Sequence, residues 1–213
     1  MKELCNSAAL RHFRLEPAQP VLDLCFPILE GRTLEVDHGH ALQTALSRHC
    51  PDLERIPGLG IHPVRGTLGE VQGELLLSGA SEVRVRLPEP AAARLRGLAG
   101  AGLEVGGHAI RLGEPRRQVL NPASALWART VTIHFRGPAV PAARAQLAIR
   151  FAEDFPWGSF RIYRPRRLRI EGRQLLGFEM AVRGLDAEAS LLLQSHGFGG
   201  RRLLGCGVFV PFS

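Results

Sequence analysis

Histidine side chains give this chain its clearest capacity for proton-transfer chemistry. An imidazole changes its charge near neutral pH, so it can accept a proton from a hydroxyl group or donate one to a leaving oxygen. Three histidines lie where local structure would hold them: His38 and His40 near the start of a predicted helix, and His62 in extended chain before Pro63. These three are the candidates for acid–base catalysis. The other histidines are His12, His49, His108, His134 and His196.

Arginine supplies almost all the positive charge of the chain, which has 213 residues, a formal net charge of +7 and Lys2 as its only lysine. A guanidinium binds phosphate in a bidentate manner and stacks on bases, so this bias favours a nucleic-acid surface. A GC-rich coding sequence would also favour arginine, but it would not remove the excess charge. The candidate nucleic-acid contacts outside the glycines are Arg116, Arg117, Arg164, Arg166, Arg167, Arg169, Arg201 and Arg202.

The densest basic segment is Arg164-Pro165-Arg166-Arg167-Leu168-Arg169. We predict that it forms a turn too short to bury its charge, between extended segments at 160–163 and 168–170. Such a hairpin could enter an RNA groove or bind its phosphates. A solvated charge run is the alternative interpretation.

Glycines surround a basic centre near the C-terminus, between a predicted helix and a predicted strand. Their pairing would let the backbone approach a strand of RNA closely and leave amide groups free for phosphate oxygens. The segment is neither a P-loop nor a dinucleotide-binding fingerprint, since no Gly-Lys-Ser/Thr follows and the strand–helix order is wrong. A tight glycine-rich connection is the alternative. The candidate RNA-binding glycines are Gly197, Gly199, Gly200, Gly205 and Gly207.

The four cysteines contain no Cys-x-x-Cys pair and predict neither a zinc site nor a disulfide framework. We therefore expect no metal and no cofactor. No apolar run approaches the roughly 18 residues of a membrane span, so we expect no membrane contact and a cytoplasmic protein.

The first half of the chain alternates strands and helices. Strands are predicted at 21–26, 60–66, 74–77, 82–87, 103–105 and 108–112. A first helix begins at Asp37 as its N-cap and ends at Pro51, and a second covers 91–98. The resulting β-α-β-β-α-β order is that of a ferredoxin-like, RNA-recognition-type sheet.

The second half repeats this plan after a predicted linker at 115–122. Its strands are predicted at 130–135, 177–183 and 206–210, together with the extended segments around the basic turn. Its helices are predicted at 141–151, with Pro141 in the first turn, and at 187–194. The fold class predicted is α+β, with two tandem ferredoxin-like domains at residues 1–118 and 119–213.

The chain resembles the Cas6 family of CRISPR repeat endoribonucleases in three separated places. The first is the C-terminal Gly-Phe-Gly-Gly-Arg-Arg-Leu-Leu-Gly-Cys-Gly loop at 197–207. The second is Val36-Asp37-His38-Gly39-His40-Ala41-Leu42, and the third is Gly60-Ile61-His62-Pro63-Val64-Arg65-Gly66. His40 stands where relatives usually have an aromatic residue.

This resemblance implies an enzyme that binds CRISPR repeat RNA and cuts it without a metal. The 2′-hydroxyl would attack the adjacent phosphate, giving a 2′,3′-cyclic phosphate and a 5′-hydroxyl, and the mature guide RNA could stay bound. A catalytic histidine near the first helix, facing the glycine-rich loop, favours His38, with His40 and His62 as alternatives. On a regular helix His38 shares the face of Leu42 and Ala45, which also allows a half-buried structural histidine.

Two functions of other classes remain open from sequence. One is a non-catalytic RNA-binding subunit that holds the hairpin beside other subunits of a CRISPR effector complex. The other is a general tandem RNA-recognition module, but the aromatic RNP strand pattern of such modules is absent.

Overall fold

The computed structural model describes residues 19–135, 139–170 and 173–212, and the side chains of Arg169 and Arg173 lie outside this description. Each half of the chain has the β-α-β-β-α-β order of a ferredoxin-like domain. The predicted fold class is confirmed.

The first half begins with the longest strand of its sheet. Its elements, in chain order, are β1 (Val21–Glu30), β2 (Thr33–Glu35), α1 (Gly39–His49), a 3-10 turn (Leu53–Arg55), β3 (Gly60–Ile61), β4 (Thr67–Leu68), β5 (Glu74–Leu76), β6 (Glu82–Pro88), a 3-10 helix (Glu89–Leu98), β7 (Gly102–Val105), β8 (His108–Leu112) and β9 (Arg116–Val119). The main sheet has the order β3-β6-β1-β8-β7, and β2, β5 and β4 form a small separate sheet.

The second half uses the same strand order. Its elements are β10 (Ala125–Val131), α2 (Val140–Asp154), β11 (Ser159–Ile170), β12 (Arg173–Arg183), α3 (Ala187–His196), a 3-10 turn (Arg202–Leu204) and β13 (Val210–Pro211). The sheet order is β11-β12-β10-β13. The side chain of Asp186 caps α3 by accepting the Ala189 amide at 2.8 Å.

Each half of the chain has its own hydrophobic core. The first joins α1 and the 3-10 helix to the strands through Phe26, Leu42 and Leu95. The second is centred on Phe151 of α2, which packs edge-on against Phe198 with ring centroids 4.8 Å apart. The domain boundary at 118 and 119 stays a prediction, and the two cores lie on either side of it.

The predicted linker at 115–122 was wrong in its middle part. Residues 116–119 form β9, which pairs antiparallel with β1 from Leu22↔Val119 to Cys25↔Arg116. Beyond Pro27, β1 exchanges this neighbour for β8, starting at Ile28↔Leu112. Pro27 lies at the exchange, where its missing amide donor costs no ladder bond. The first strand therefore runs four residues further than the predicted end at Phe26.

Three further boundaries differ from the predictions. The strand predicted at 130–135 is β10, which begins earlier and ends at Val131. The helix predicted at 91–98 is a 3-10 helix, and the last strand contains only Val210 of the predicted 206–210. None of the helices in the described ranges is long and apolar enough to cross a membrane.

Candidate functional site

The two halves meet where the glycine-rich loop, residues 197–207, touches the beginning of α1. A Cβ at Gly39 would lie only 2.4 Å from the carbonyl oxygen of Leu204, so the absence of a side chain allows this contact. The first intrahelical bond runs from the Leu42 amide to the His38 carbonyl at 2.8 Å. The amides before Leu42 have no helical partner, and they form the positive end of the helix dipole beside the loop.

His38 precedes α1 and is 2% exposed. Its Nδ1 lies 2.7 Å from the Glu35 carbonyl oxygen, and its Nε2 accepts the Val64 amide at 2.9 Å. A carbonyl only accepts and an amide only donates, so the ring is fixed as the neutral Nδ1–H tautomer. Burial lowers the pKa of His38 despite the bond to Glu35. His38 therefore joins three segments of the first domain and has no ring nitrogen left for a substrate.

Asp37 was predicted as the N-cap of the first helix, and this was wrong. The N-cap is His38, and no side chain caps the helix. Asp37 instead lies 3.8 Å from the Arg166 guanidinium of the second domain. His40, in the first turn of α1, is half-buried rather than buried.

A basic cluster from the second domain surrounds Asp37. Arg129 of β10 donates to the Val36 carbonyl at 3.4 Å, and Arg166 of β11 approaches Asp37. Burial, with the nearby charge of Arg166, lowers the pKa of Arg129. Two guanidinium groups thus lie near a single carboxylate, of which only Arg166 is paired with it, and this leaves net positive charge at the start of α1. Such a surface suits a phosphate group.

The basic residues predicted to form a turn lie on a strand instead. β11 is continuous from Ser159 to Ile170, with a bulge between Ile162 and Pro165, and pairs with β12 throughout. Arg164 and Arg167 are exposed, and Arg167 donates to Gln174 at 3.0 Å. The backbone of Arg169 is part of β11, but its side chain lies outside the described residues.

Arg116 and Arg117 lie on β9, far from the glycine-rich loop in the sequence. Both side chains are already ion-paired. Arg116 is 2.9 Å from Glu82, and Arg117 pairs with Glu89. Their side chains remain 61% and 57% exposed. Exposed ion pairs contribute little to stability, so both guanidinium groups can exchange a carboxylate for a phosphate.

The amides of Gly197, Gly200, Gly205 and Gly207 are bonded within the protein, whereas the sequence predicted amides free for phosphate. Gly200 donates to Thr132 at 2.9 Å and Gly207 donates to Thr130 at 2.7 Å, which fastens the loop to the chain around β10. The amides of Gly197 and Gly205 also bond within the loop and its helix. The glycines serve close backbone contact: a Cβ at Gly197 would lie 2.2 Å from the Gly207 carbonyl. Gly199 faces Thr132 in the same way.

The two arginines of the loop point in different directions. Arg201 is exposed and adopts a left-handed conformation, with φ of 64°. Arg202 turns inward and donates to the Ser195 carbonyl at 3.0 Å and to the His196 carbonyl. Burial, with the charge of Arg86, lowers the pKa of Arg202 to about 10. Arg201 is the residue of this pair that can contact a ligand, whereas Arg202 braces the loop.

Sequence reasoning missed a buried charged network beneath this loop. Asp23 of β1 and Arg86 of β6 are 2% and 1% exposed and stand opposite each other in the sheet. Arg86 donates to both carboxylate oxygens of Asp23, at 2.7 and 3.0 Å. His62 Nε2 lies 3.3 Å from the same carboxylate. Arg86 shares a face of β6 with Glu82 and Arg84, opposite the residues that form the core of the first domain. The strand pattern gave no signal for its burial, because carbonyls of the second domain cover it.

His62 also lines a cleft of about 960 Å³ between the two domains. The walls include Arg65, Arg84 and Arg116 of the first domain and Arg129 of the second. Burial lowers the pKa of His62 to about 4, although Asp23 favours the protonated form. Burial alone would raise the pKa of Asp23, but its bonds with His62 and Arg86 hold that pKa well below the usual range.

Stability is expected to fall as the pH is lowered from about 6.5 toward about 4. The unfolded chain takes up a proton on His62 in this window while the folded chain does not. Unfolding therefore becomes easier by up to about 1.4 kcal/mol per pH unit for this histidine. Urea titrations at a series of pH values should show a shallower dependence in His62→Asn. The exposed His49→Asn is the control, and equal slopes in wild type and His62→Asn would contradict the assignment.

Gly39→Ala should separate α1 from the glycine-rich loop, because its Cβ would overlap the Leu204 carbonyl. Overpacking of this kind typically costs about 1–3 kcal/mol. Thermal unfolding should occur earlier, and amide exchange of Leu204 and Gly205 should accelerate. Gly97→Ala is the matched control, since a Cβ there meets nothing within 4 Å. Unchanged exchange in Gly39→Ala would show that this contact does not hold the loop.

Within the described residues, no three His, Cys, Asp or Glu side chains come together as a metal site. The expectation that no metal takes part stays a prediction.

Comparison with known proteins identifies relatives over most of the chain. The family model Cas6 Crispr matches residues 22–213. The chain is similar to the CRISPR-associated endonuclease Cas6 of Myxococcus xanthus (strain DK1622), with 38% identity over 191 residues. That alignment covers 89% of this chain and 81% of the relative.

Solved structures share the architecture at low sequence identity. One, described as an RAMP protein binding different RNA substrates, has a TM-score of 0.60 and 14% identity, and the match covers 91% of this chain and 100% of the other. Another, described as CRISPR associated protein Cas6, has a TM-score of 0.58 and 12% identity, with 91% and 99% covered. At these identities the likeness shows the fold alone.

Proposed function

Because the chain belongs to the Cas6 family, we propose that it is an endoribonuclease that binds CRISPR repeat RNA and cuts it to produce guide RNA. The observation that carries this proposal is the meeting of three elements at one place. The start of α1 lies against the glycine-rich loop, and Arg129 and Arg166 lie beside the same helix start.

The proposed reaction is attack of a 2′-hydroxyl on the adjacent phosphate. It gives a 2′,3′-cyclic phosphate and a 5′-hydroxyl, and the reaction requires no metal or cofactor. One group must take the hydroxyl proton, one must protonate the leaving oxygen, and cations must stabilise the phosphorane. Arg129, Arg166 and the exposed Arg201 supply the cations. The N-terminal end of the α1 dipole adds positive potential.

We assign proton transfer to His40 rather than to His38. His38 is buried and both its ring nitrogens are bonded within the protein, so it positions the start of α1. His40 lies one residue after Gly39 and is half-buried, which leaves the ring within reach of solvent and substrate. His62 is the alternative, since Asp23 orients its Nε2 and it lines the interdomain cleft.

The test is incubation of the full-length protein with labelled repeat RNA in EDTA. Cleavage with a cyclic-phosphate end would support a metal-independent endoribonuclease. Binding without cleavage, both in EDTA and with added divalent cations, would instead favour the non-catalytic subunit of a CRISPR effector complex. Retention of the cut hairpin after gel filtration tests whether the product stays bound.

Arg166→Ala is expected to weaken RNA binding about equally for different repeat sequences and to reduce the slope of log K against log salt by about 1. The reason is that a guanidinium contacting phosphate releases a counterion. Filter binding at a series of salt concentrations from about 50 to about 300 mM measures this slope. Arg150→Ala is the matched control, because Arg150 lies on α2 and pairs with Asp154 at 2.7 Å. An unchanged slope in Arg166→Ala would remove Arg166 from the phosphate contacts.

A further inference from the structure

Arg86 is the largest fully buried side chain in the described residues, although it carries a charge. Its Nε and one terminal nitrogen bind both oxygens of Asp23, so the pair is bidentate. Both residues lie in the first domain, directly opposite each other on β1 and β6. This bonding uses only part of the donors of the guanidinium.

The remaining terminal nitrogen crosses the domain boundary. It donates to the Gln194 carbonyl at 2.9 Å and to the Phe209 carbonyl at 2.6 Å. Gln194 is near the end of α3, before the glycine-rich loop, and Phe209 follows the loop directly before β13. One guanidinium from the first domain therefore holds both ends of the loop.

The rest of the loop is fixed relative to this point. Arg202 binds the carbonyls of Ser195 and His196, so two arginines, one from each domain, satisfy the end of α3. At the other side of the loop, the Leu204 carbonyl rests on Gly39. A shift at Gln194 or Phe209 would be transmitted to this contact and to Arg201.

Stability alone is a poor reason to bury such a pair. Two charges lose their hydration on burial, and apolar residues of similar volume often give an equally stable or more stable protein. Placement of a second element is a function that apolar residues cannot supply, since they offer no directed donors to the two carbonyls.

We propose that Arg86 is a positioning residue, oriented by Asp23, that sets the place of the glycine-rich loop against α1 and thereby aligns the cleavage site. This inference rests on the proposed function for its catalytic readout. A displacement of about 1 Å away from reacting atoms can lower a rate about 100-fold. Arg86 itself touches no substrate.

The experiment uses the double variant Asp23→Leu/Arg86→Met, which removes both charges together and avoids an unpaired buried charge. His62, which loses Asp23, lines the cleft and can bond to water there. We expect a folded protein with a lowered Tm, because two buried carbonyls lose their donor, and an RNA Kd within about threefold of the wild-type value. The single-turnover cleavage rate at saturating enzyme should fall by about 10- to 100-fold. Glu30→Leu/Arg111→Met, which removes an exposed pair at 3.1 Å, is the matched control and should cut normally.

Arg86→Lys is the second variant. It keeps a charge for Asp23 but cannot bind both loop carbonyls, so its rate should also fall while RNA binding persists. A folded double variant that cuts at the wild-type rate overturns the proposal. Failure of both variants to fold would also overturn the proposal, because the Asp23–Arg86 pair would then be required for folding rather than for placing the loop.

Amide hydrogen exchange without RNA separates this inference from the proposed function. Faster exchange at Gly205 and Gly207 in the double variant supports loop placement even if the wild-type protein cuts no RNA. Unchanged exchange together with lost cleavage would contradict placement while leaving the nuclease assignment intact.

Discussion

A repeat RNA with one 2′-deoxyribose immediately upstream of the scissile phosphate is expected to bind normally and to remain uncut. The proposed nucleophile is the hydroxyl that this substitution removes, so the loss should be complete rather than partial. Affinity depends on many arginine–phosphate contacts and should change by less than about twofold. Gel electrophoresis of labelled RNA and filter binding on the same samples measure the two quantities.

A deoxyribose placed at the next position downstream is the matched control, and that RNA should be cut at the normal rate. Cleavage of the upstream-deoxy RNA at the same phosphate would exclude internal attack. Water would then have to be the nucleophile, and a 5′-phosphate or 3′-phosphate without a cyclic form would be found.

The second large effect is expected for His40→Ala. Loss of a positioned proton-transfer group typically lowers a rate by about 10²–10⁴-fold, whereas RNA binding is distributed over several arginines. We expect single-turnover cleavage to fall by this amount with an unchanged melting temperature, because His40 is only half-buried.

His38→Gln and His62→Gln are the companions to this variant. His38→Gln should melt earlier, because it disturbs the bonds to Glu35 and Val64, and the folded fraction should still cut RNA. If His38→Gln were folded but inactive while His40→Ala remained active, the proton-transfer role would be assigned to His38. The same result for His62→Gln would transfer it to the Asp23–His62 pair.

Local patterns in the sequence predicted those elements in which the spacing of apolar residues within the element decides which side chains face the core. The alternation in β6, the hairpin of β7 and β8, and the helix beginning around Pro141 all appear close to their predicted ranges. In each of these segments the apolar residues recur with the period of a strand or of a helix. Both ferredoxin-like repeats could therefore be recognised without any contact information.

Elements that depend on a distant partner were harder to predict. Arg116-Arg117-Gln118-Val119 has the composition of a polar linker, and it becomes a strand only because β1 offers a free edge. The run from Arg164 to Arg169 looks like an exposed turn, yet β12 supplies ladder bonds along its length. Tertiary pairing decided both cases over local preference.

The candidate site was predicted by region but not by side chain. The resemblance to the Cas6 family implied a histidine near the first helix that faces the glycine-rich loop, and Gly39 at the start of α1 contacts Leu204. The burial of His38 agrees with the helical face that it shares with Leu42 and Ala45. Its bond to the Val64 amide joins it to another element, which helical periodicity could not show. The inward turn of Arg202 likewise depends on the carbonyls at the end of α3.

The crossing bonds of Arg86 also bear on the order in which the proposed cleavage site is assembled as the chain is synthesised. The first domain leaves the ribosome with its Arg86 donors still lacking the carbonyls of Gln194 and Phe209. Its helix start also lacks the loop that will later rest on Gly39. A nascent chain therefore carries His40 without the surface that would align an RNA with it. The proposed cleavage site is therefore complete only after Phe209 has been synthesised and the two domains have docked.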